Sequence, residues 1–235
     1  MDKTIYLPAG IDQFNHLKAN TELSEKSILL IGANTEIIGK QFLDAGAKSV
    51  AIIIDDYDLL IKARLAIDKI DKISVKFMEY AKTDFEDASF DIVYAQGSIS
   101  NPERNKILKE TRRVLKPKGI MIAGEYVSLK AAAPNYVNDV WESGNISPLK
   151  SAELATYYKA MSFDVINVYE HSTKLKDFYV SIKKLLNENI DQLTEQEKSY
   201  YKKLLKRINH ESNVYLKLGG SDYMGFSSII VRNNS

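Results

Sequence analysis

The sequence contains no cysteine among its 235 residues. Disulfides, cysteine-based zinc sites, iron–sulfur clusters and thiol nucleophiles are therefore excluded. An excess of charge of one sign is also lacking, because 32 Lys and Arg residues face 31 Asp and Glu residues and leave a net charge of +1. A balanced charge gives no field that attracts nucleic acid or an anionic membrane, so a small neutral or mixed-charge partner is favoured.

Long apolar runs are missing as well. No stretch approaches the roughly 18 consecutive apolar residues of a membrane-spanning helix, and residues 1–4 do not begin the apolar segment of a signal peptide. We therefore expect a soluble cytoplasmic protein. Its 235 residues suffice for one domain with an insertion, because chains divide into separate domains only above roughly 250 residues.

Short apolar runs alternate with helical periods between residues 27 and 125, which predicts βαβ units and a parallel sheet. Nearly continuous apolar segments are typical of central strands that are buried on both faces. The predicted strands of this part are 27–31, 48–54, 73–77, 91–95 and 120–124. Helices are predicted around 37–45, 59–67 and 107–115 from the spacing of their apolar residues.

The pattern changes after residue 125. Residues 127–151 contain Pro134, Gly144 and Pro148 and are predicted to be rich in loops, whereas 152–161 is predicted to be a helix. Two amphipathic helices, around 175–186 and 200–208, are predicted between strands at 163–169 and 225–231. We expect seven strands in one domain. Its predicted parts are an N-terminal helical arm (1–26), a cofactor-binding core (27–125), a cap (126–162) and C-terminal strands (163–235) with a helical insertion (173–212).

Polar loops follow the strands whose carboxyl ends meet at one edge of the predicted sheet. Ligands bind at this edge in open parallel sheets, where the strand order reverses. Gly32, after strand one, lets the backbone approach a ligand closely. Strand two ends at Asp55 and Asp56, which either hydrogen-bond the hydroxyls of a ribose or cap the next helix.

Three segments between strands three and five carry a family resemblance. They are MEYAKTDF at 78–85, FDIVYA at 90–95 and TRRVLKPKG at 111–119. Together they resemble the class I S-adenosylmethionine-dependent methyltransferases, particularly the branch with quinone, sarcosine and arsenite methyltransferases. The resemblance covers residues 27–125, and its last motif is the most specific. It implies a Rossmann-like three-layer sandwich with a mostly parallel seven-stranded sheet, an antiparallel last strand and S-adenosylmethionine as cofactor.

The resemblance also implies roles for single residues. Asp55, or Asp56 if the turn is shifted by one residue, would hold the ribose of the cofactor. Glu79 stands where the family often has an aspartate that accepts a hydrogen bond from the adenine amino group, and Tyr80 would lie against the ring. The loop beside the methionine part of the cofactor is matched by Gln96, Gly97 and Ser98.

The first loop departs from the family pattern of an acid followed by three alternating glycines. Gly32 keeps the first glycine, whereas Asn34 and Glu36 replace the other two. Asn34, which follows Ala33, tolerates the left-handed conformation of a glycine. Glu36 places a carboxylate near the expected carboxylate of the cofactor. This is unfavourable unless a cation or a rotated side chain intervenes, or unless Glu36 faces the cationic amino or sulfonium group.

Methyl transfer is an in-line displacement, so the protein mainly has to align an acceptor. We expect O- or N-methylation of a small molecule. An oxygen acceptor benefits from a base, for which Glu125 and His171 at strand ends are the candidates. Aromatic rings near the acceptor either enclose a flat ring or a cationic amine or belong to the core. The candidate acceptor residues are Tyr6, Ser100, Tyr126 and Trp141.

Two alternatives stay open at this point. A short-chain dehydrogenase would need a tyrosine followed four residues later by a lysine, and neither Tyr157, Tyr158, Tyr200 nor Tyr201 is followed by one at that spacing. A methyltransferase-like protein that has lost cofactor binding and serves as a binding or regulatory partner is favoured only by the altered first loop.

Overall fold

The computed structural model describes residues 5–68 and 70–234. The first four residues of the predicted N-terminal arm and the last residue of the C-terminal part lie outside the described residues. A single sheet forms the centre of the described chain. Its strands are β1 (Ser27–Ile31), β2 (Ser49–Ile54), β3 (Ile73–Phe77), β4 (Phe90–Gln96), β5 (Leu115–Ser128), β6 (Leu149–Lys150), β7 (Phe163–Glu170) and β8 (Met224–Asn233).

Helices cover both faces of this sheet and extend beyond one of its edges. They are α1 (Asp12–Asn20), α2 (Glu36–Asp44), α3 (Tyr57–Ala66), α4 (Arg104–Val114), α5 (Asn135–Ser143), α6 (Leu154–Ala160), α7 (Ser172–Ile190), α8 (Glu195–Tyr200) and α9 (Lys202–Lys217). In the described part of the chain, no helix is long and apolar enough to cross a membrane.

The strand order is β3-β2-β1-β4-β5-β8-β7, and β6 pairs with the end of β5. Strands β1 to β5 pair in parallel, whereas β8 is antiparallel to both β5 and β7. The predicted α/β fold, with a mostly parallel sheet and an antiparallel last strand, is therefore confirmed. The sheet has eight strands instead of the predicted seven, because the short β6 pairs with the end of β5. A short-chain dehydrogenase of the doubly wound type would have a parallel sixth strand after the fifth, so this order disfavours that alternative.

The strands of the first half lie where the apolar runs predicted them. Strands β1 and β3 have the predicted bounds, β2 begins one residue later than predicted, and β4 extends one residue further at each end. The apolar runs mark these strands in the sequence because the same residues are buried in the sheet. In β1 and β2 every residue after the first is buried, because helices cover both faces of the sheet.

The loop-rich interpretation of residues 127–151 is wrong. This passage contains α5, and Pro134 and Gly144 are the N-cap and C-cap of that helix rather than parts of a loop. Proline is favourable at a helix start because its missing N–H has no intrahelical partner there. Strand β5 also runs beyond the predicted end at residue 124, because β8 continues to pair with it as far as Ser128.

The helical insertion before β8 consists of three helices instead of the predicted two. The amphipathic segment predicted at 200–208 is divided at Tyr201, where α8 ends and α9 begins. The apolar residues that suggested its buried face are largely accessible: Tyr200 is 70% exposed and Leu204 is 40% exposed. The buried part of α9 comes later, at Ser212, Val214 and Tyr215.

The core has three parts. One apolar cluster joins α1, α2 and α3 to one face of the sheet, and a second joins α4 and α6 to the other face. A third cluster packs α5, α7 and α9 on the start of β8, beyond the carboxyl ends of the parallel strands. We call this third cluster the cap. It differs from the predicted cap of residues 126–162, because α6 packs on the sheet instead and α7 and α9 take part. The cap lies beside the edge at which ligands bind in sheets of this type.

Candidate active site

The strand order reverses between the adjacent parallel strands β1 and β4. The loops that follow both strands lie at the carboxyl edge of the sheet. The loops after β1, β2 and β4 meet there and bring together Gly32, Asp55 and Gly97. Such a reversal opens a crevice because the two connections leave toward opposite faces of the sheet. The fold thus assembles at one edge the loops that the sequence nominated.

The turn after β1 forms without the second and third glycines of the family pattern. Gly32 adopts φ +114°, and Asn34 adopts φ 62° in the left-handed region. The N–H of Gly32 donates to the carbonyl of Ile53 at 3.0 Å, and the Thr35 hydroxyl donates to the Gly32 carbonyl at 2.8 Å. Asn34 therefore supplies the backbone conformation for which a glycine is usually needed, because its short polar side chain tolerates it.

Glu36 begins α2 and turns its carboxylate back onto the turn. The carboxylate accepts hydrogen bonds from the backbone N–H groups of Asn34 and of Glu36 itself. Burial raises its pKa, while these hydrogen bonds and the charge of Lys40 act in the opposite direction. The positive end of α2 is thus already occupied by a carboxylate of the protein.

The two aspartates after β2 have different surroundings. Asp56 is the N-cap of α3, and its side chain accepts a hydrogen bond from the Leu59 N–H at 2.9 Å. Asp55 is exposed and accepts the hydroxyl of Tyr80, whose pKa is raised by burial and then by the Asp55 charge. The capping interpretation therefore applies to Asp56. Asp55 does not cap the helix, and its carboxylate lies near the Tyr80 hydroxyl.

Tyr80 and Glu79 belong to the turn after β3. Tyr80 is 8% exposed and packs in the cluster on the α4 face of the sheet. Glu79 is exposed and pairs through its backbone with Lys82. The structure therefore brings Tyr80 to Asp55 and leaves the Glu79 carboxylate accessible on the same edge.

The loop after β4 is tied to neighbouring segments by side chains. The Gln96 amide donates to the carbonyls of Pro8 and of Gly10, the latter at 2.9 Å, and accepts the Tyr94 hydroxyl at 2.5 Å. Ser98 donates to the carbonyl of Ile31 at 2.5 Å. Gln96 is thus an anchor for the segment before α1, and Ser98 joins the ends of β1 and β4.

Glu125 is fully buried at 0% exposure on β5. Its carboxylate accepts from Ser100 at 2.5 Å, from Tyr158 at 2.7 Å and from Arg104, whose Nε lies 3.0 Å from Oε1. Arg104 also donates to the carbonyl of Ser147. A carboxylate with three donors and no accessible surface is well placed to join α4, α6 and the loop at Ser147, and poorly placed to take a proton from an acceptor.

His171 is also buried, at the start of α7. Its Nε2 lies 2.8 Å from the Ser228 hydroxyl, and its ring centroid lies 5.2 Å from that of His16. Burial and then the nearby His16 lower its pKa, so the neutral imidazole is favoured. His171 joins α1, α7 and β8.

The predicted acceptor aromatics lie mainly in the cap. The Tyr126 ring packs edge to face on Phe226 at 5.4 Å, and Trp141 is a buried member of the cap on α5. Tyr6 is half-buried in the segment before α1. Ser100 contacts β5 directly, because its hydroxyl donates to Glu125 at 2.5 Å and accepts the backbone N–H of Tyr126 at 2.9 Å.

Four side chains of this region were not predicted from the sequence. Arg104 and Tyr158 complete the shell around Glu125, and Tyr179 and Glu211 belong to the cap. Arg104 precedes an apolar helix face and Tyr158 lies within a predicted helix, which are signals of structure rather than of chemistry. A glutamate within an amphipathic helix, such as Glu211, is normally a solvated residue.

Comparison with known proteins agrees with this geometry. Residues 29–123 match the family model described as a methyltransferase domain. The matched segment runs from β1 into β5 and contains the loops of the candidate cofactor edge. Together, the fold and the loops at this edge define a methyltransferase-type α/β protein. This segment carries the likeness of the chain to the class I S-adenosylmethionine-dependent methyltransferase superfamily. A search of the curated proteins found no match.

Solved structures with the same fold cover nearly the whole chain. A putative sarcosine dimethylglycine methyltransferase from Galdieria sulphuraria has a TM-score of 0.76 at 15% identity, with 94% of this chain and 83% of that chain covered. The 4+2 cyclase SpnF has a TM-score of 0.76 at 18% identity, with coverages of 94% and 80%. A phosphoethanolamine N-methyltransferase from Haemonchus contortus, in complex with phosphomonomethylethanolamine and S-adenosylhomocysteine, has a TM-score of 0.74 at 14% identity, with coverages of 95% and 53%.

S-adenosylmethionine is the cofactor of this superfamily, and the residues present fit it unequally. A ribose would find a hydrogen-bond acceptor in the exposed Asp55 carboxylate. The turns at Gly32 and Gly97 are closely packed, because a Cβ atom there would lie 2.6 Å from Ser98 and 3.3 Å from Tyr126. Only Glu36 departs from what the cofactor's carboxylate requires, and its charge instead suits the amino group of the cofactor.

Proposed function

We propose that this protein binds S-adenosylmethionine at the carboxyl edge of the sheet and transfers its methyl group to nitrogen or oxygen of a small molecule. The observation that carries this proposal is the convergence of the Gly32 turn, Asp55 and the Gly97 loop at the point where the strand order reverses. The match of residues 29–123 to the methyltransferase domain supports the same assignment.

Each part of the cofactor has a counterpart in the proposed site. Asp55 holds the ribose hydroxyls, Tyr80 lies beside the adenine and Glu79 accepts from the adenine amino group. Glu36 holds the α-amino group, because its carboxylate stays at the start of α2 through two backbone hydrogen bonds. The turns at Ala33 and Gly97 pass beside the methionine chain.

The bound cofactor supplies an electrophilic methyl group on a sulfonium centre. The residues of this chain then have to hold the acceptor in line with that group and keep water away. Tyr126 and Trp141 of the cap are the proposed walls for the acceptor. We assign Glu125 the task of holding the loop with Ser100 in place, since its carboxylate is enclosed by Ser100, Arg104 and Tyr158.

A small-molecule acceptor is supported by the balanced charge of the chain and by the buried aromatic cap. Two of the proteins with this fold are named for small acceptors, a putative sarcosine dimethylglycine methyltransferase and a phosphoethanolamine N-methyltransferase. A polymer would need an accessible charged or apolar surface for docking, which the composition does not favour.

Calorimetric titration of the protein with S-adenosylmethionine and with S-adenosylhomocysteine tests the proposal. We expect saturable binding of both ligands and an increase in the temperature of unfolding. The absence of heat and of a thermal shift at millimolar ligand would overturn the proposal and favour a methyltransferase-like binding protein. A screen of amines, phenols and quinols with radiolabelled cofactor then identifies the acceptor.

A further inference from the structure

The helical insertion crosses the proposed cofactor edge. It starts with α7 after β7 and ends before β8, whereas Tyr200 in its middle reaches Asp58 of α3, the helix that follows β2. Strands β1, β4 and β5 lie between β2 and β8 in the sheet. Four strand spacings correspond to about 19 Å. The insertion therefore reaches over the carboxyl ends of β1 and β4, where the strand order reverses.

The two ends of the insertion are packed, but its middle is not. Leu175 and Tyr179 of α7 and Val214 and Tyr215 of α9 are buried in the cap. The structure describes every residue from 180 to 211, and none of them is buried. We call this segment the bridge. A segment with few buried apolar contacts opens at a low cost in free energy, and the lids of active sites are drawn from such segments.

Exposed polar contacts hold the bridge against α3. The Tyr200 hydroxyl donates to the Asp58 carboxylate at 2.9 Å, and Nζ of Lys62 lies 5.6 Å from the centroid of the Tyr201 ring. Tyr200 is 70% exposed, so water competes for its hydroxyl. The net contribution of such a hydrogen bond is small, because a bond to water replaces it when it breaks. The bridge is thus placed over the edge by contacts that are easily exchanged.

A cavity of about 640 Å³ lies between the bridge, α3 and α5. Asp58 and Tyr200 both line this cavity, so their hydrogen bond joins two of its walls and limits how far it can widen. Asp56 belongs to the α3 wall and is the next residue after Asp55, the proposed ribose ligand. The cavity therefore adjoins the adenosine end of the proposed cofactor site.

Charges of both signs line this cavity. Lys62, Lys203 and Arg207 contribute positive charge, whereas Asp56 and Asp58 contribute negative charge. S-adenosylmethionine also carries both signs, on its carboxylate and on its ammonium and sulfonium groups. A lining of one sign would repel one part of this ligand, and a mixed lining repels neither.

We propose that the bridge is a lid over the cofactor crevice and that the cavity beside α3 is the passage by which the cofactor enters and leaves. This inference rests on the proposed methyltransferase function. The hydrogen bond between Tyr200 and Asp58 holds the lid closed. Opening moves the bridge away from α3, while the buried ends of the insertion stay packed in the cap. Closure over a bound cofactor keeps water from the reacting methyl group.

Tyr200→Phe removes the hydroxyl that closes the lid and keeps the ring. We expect labelled S-adenosylhomocysteine to dissociate about threefold faster from this variant in a chase with unlabelled ligand, because the lid opens more often. The matched control is Tyr57→Phe at the start of α3, where Tyr57 is 66% exposed and packs its ring on Phe77. The control is expected to keep the native rate. Equal dissociation rates in the two variants contradict the proposal.

The absence of cysteine allows the movement itself to be measured. Leu65→Cys on α3, at a position that is 73% exposed, and Gln196→Cys at an exposed position of the bridge carry two spin labels. We expect pulsed electron paramagnetic resonance to show an additional, longer distance without ligand, which saturating S-adenosylhomocysteine removes. The control pair joins Leu65→Cys to Glu142→Cys, an exposed position of α5 outside the bridge. This pair is expected to show one distance under both conditions.

The two proposals fail in different ways. A single distance between positions 65 and 196 that S-adenosylhomocysteine leaves unchanged, in a protein that binds this ligand by calorimetry, overturns the lid and retains the methyltransferase. A longer distance in the control pair as well would assign the movement to α3 and also overturn the lid. Absence of S-adenosylhomocysteine binding overturns the methyltransferase proposal itself, and the lid with it.

Discussion

Gly32 and Ser98 pack so closely that a Cβ atom at position 32 would lie 2.6 Å from the Cβ of Ser98. The contact joins the turns after β1 and β4, and the Ser98 hydroxyl reinforces it by donating to the Ile31 carbonyl. Gly32 is therefore required by its neighbour as well as by its φ of +114°. Of the three glycines in the family pattern, the one that this chain keeps is the one that the structure cannot replace.

Gly32→Ala is predicted to lower the free energy of unfolding by about 1–3 kcal/mol, because a side chain is strained at this φ and meets Ser98. The control is Gly39→Ala, in α2. A Cβ there would have ordinary contacts, the nearest at 3.4 Å to Ile73, and alanine is favoured over glycine in a helix by about 0.5–1 kcal/mol. Urea denaturation measures both, and equal effects of the two substitutions would contradict the prediction.

Asp55→Ala is predicted to weaken S-adenosylmethionine binding by about 1–3 kcal/mol, through loss of the ribose hydrogen bonds. Asp56→Ala is the informative companion, because its carboxylate caps α3. It is expected to cost about 1 kcal/mol of stability and to leave the affinity nearly unchanged. Calorimetry and thermal unfolding separate the two effects. Unchanged affinity in both variants removes the ribose assignment.

Glu125→Gln is predicted to destabilise the protein by about 3–5 kcal/mol, because it leaves the charge of Arg104 buried without its partner. Glu153→Gln is the control, since Glu153 pairs with Lys150 at 2.8 Å but is 60% exposed, and exposed pairs contribute about 0–1 kcal/mol. Methyl transfer per folded molecule is expected to persist in Glu125→Gln. A fully folded variant without activity would instead assign Glu125 to the chemistry.

Glu211 makes stability depend on pH in a direction opposite to that of most carboxylates. Its pKa is about 7 in the folded protein, whereas the ordinary value for a solvated glutamate is 4.5. The folded protein therefore holds the proton more tightly than the unfolded chain and loses stability as pH rises between these values. The charge of Arg207, whose Nε lies 3.7 Å from the Glu211 Oε1, opposes this shift. Burial raises the pKa of Tyr126 and of Tyr179, so these tyrosines stay neutral in this range.

Glu211→Gln is therefore predicted to be more stable than the native protein at pH 8, by about 3 kcal/mol, and similar to it at about pH 4.5. Chemical denaturation at both pH values measures the difference. Glu188→Gln serves as the control, because Glu188 pairs with Lys184 at the same distance of 3.7 Å but is 58% exposed. It is expected to show no such dependence on pH. A Glu211→Gln variant that is less stable at pH 8 would show that the carboxylate is satisfied in the native fold.

Much of the sheet was predictable from local patterns. The residues of β1 and β3 are bounded as the apolar runs indicated, and the motifs in residues 78–119 indicated the likeness to a methyltransferase domain that residues 29–123 show. Asp55 and Gly97 were also nominated correctly as residues of one sheet edge, since the position of a loop after a parallel strand determines where it lies. Their roles toward the cofactor remain proposals.

Other features depend on pairing between distant segments. The end of β5 was missed because its last residues are held by β8, and α5 was missed because its proline and glycine suggested loops instead of helix ends. The choice between capping and ligand binding at Asp55 and Asp56 also required the geometry. The two residues are adjacent and chemically identical, and only the position of the Leu59 N–H distinguishes them.

The sequence by itself determined the α/β class, the likeness to methyltransferases and the edge of the sheet at which the cofactor is expected, because these follow from local periodicity and from short motifs. The tertiary structure decided what the individual charges do. Glu125 lies among Ser100, Arg104 and Tyr158, whereas the largely buried Glu211 has Arg207 at 3.7 Å. Whether a carboxylate is solvated, paired or left for a ligand depends on groups that are distant in the chain, and only folding brings them into contact.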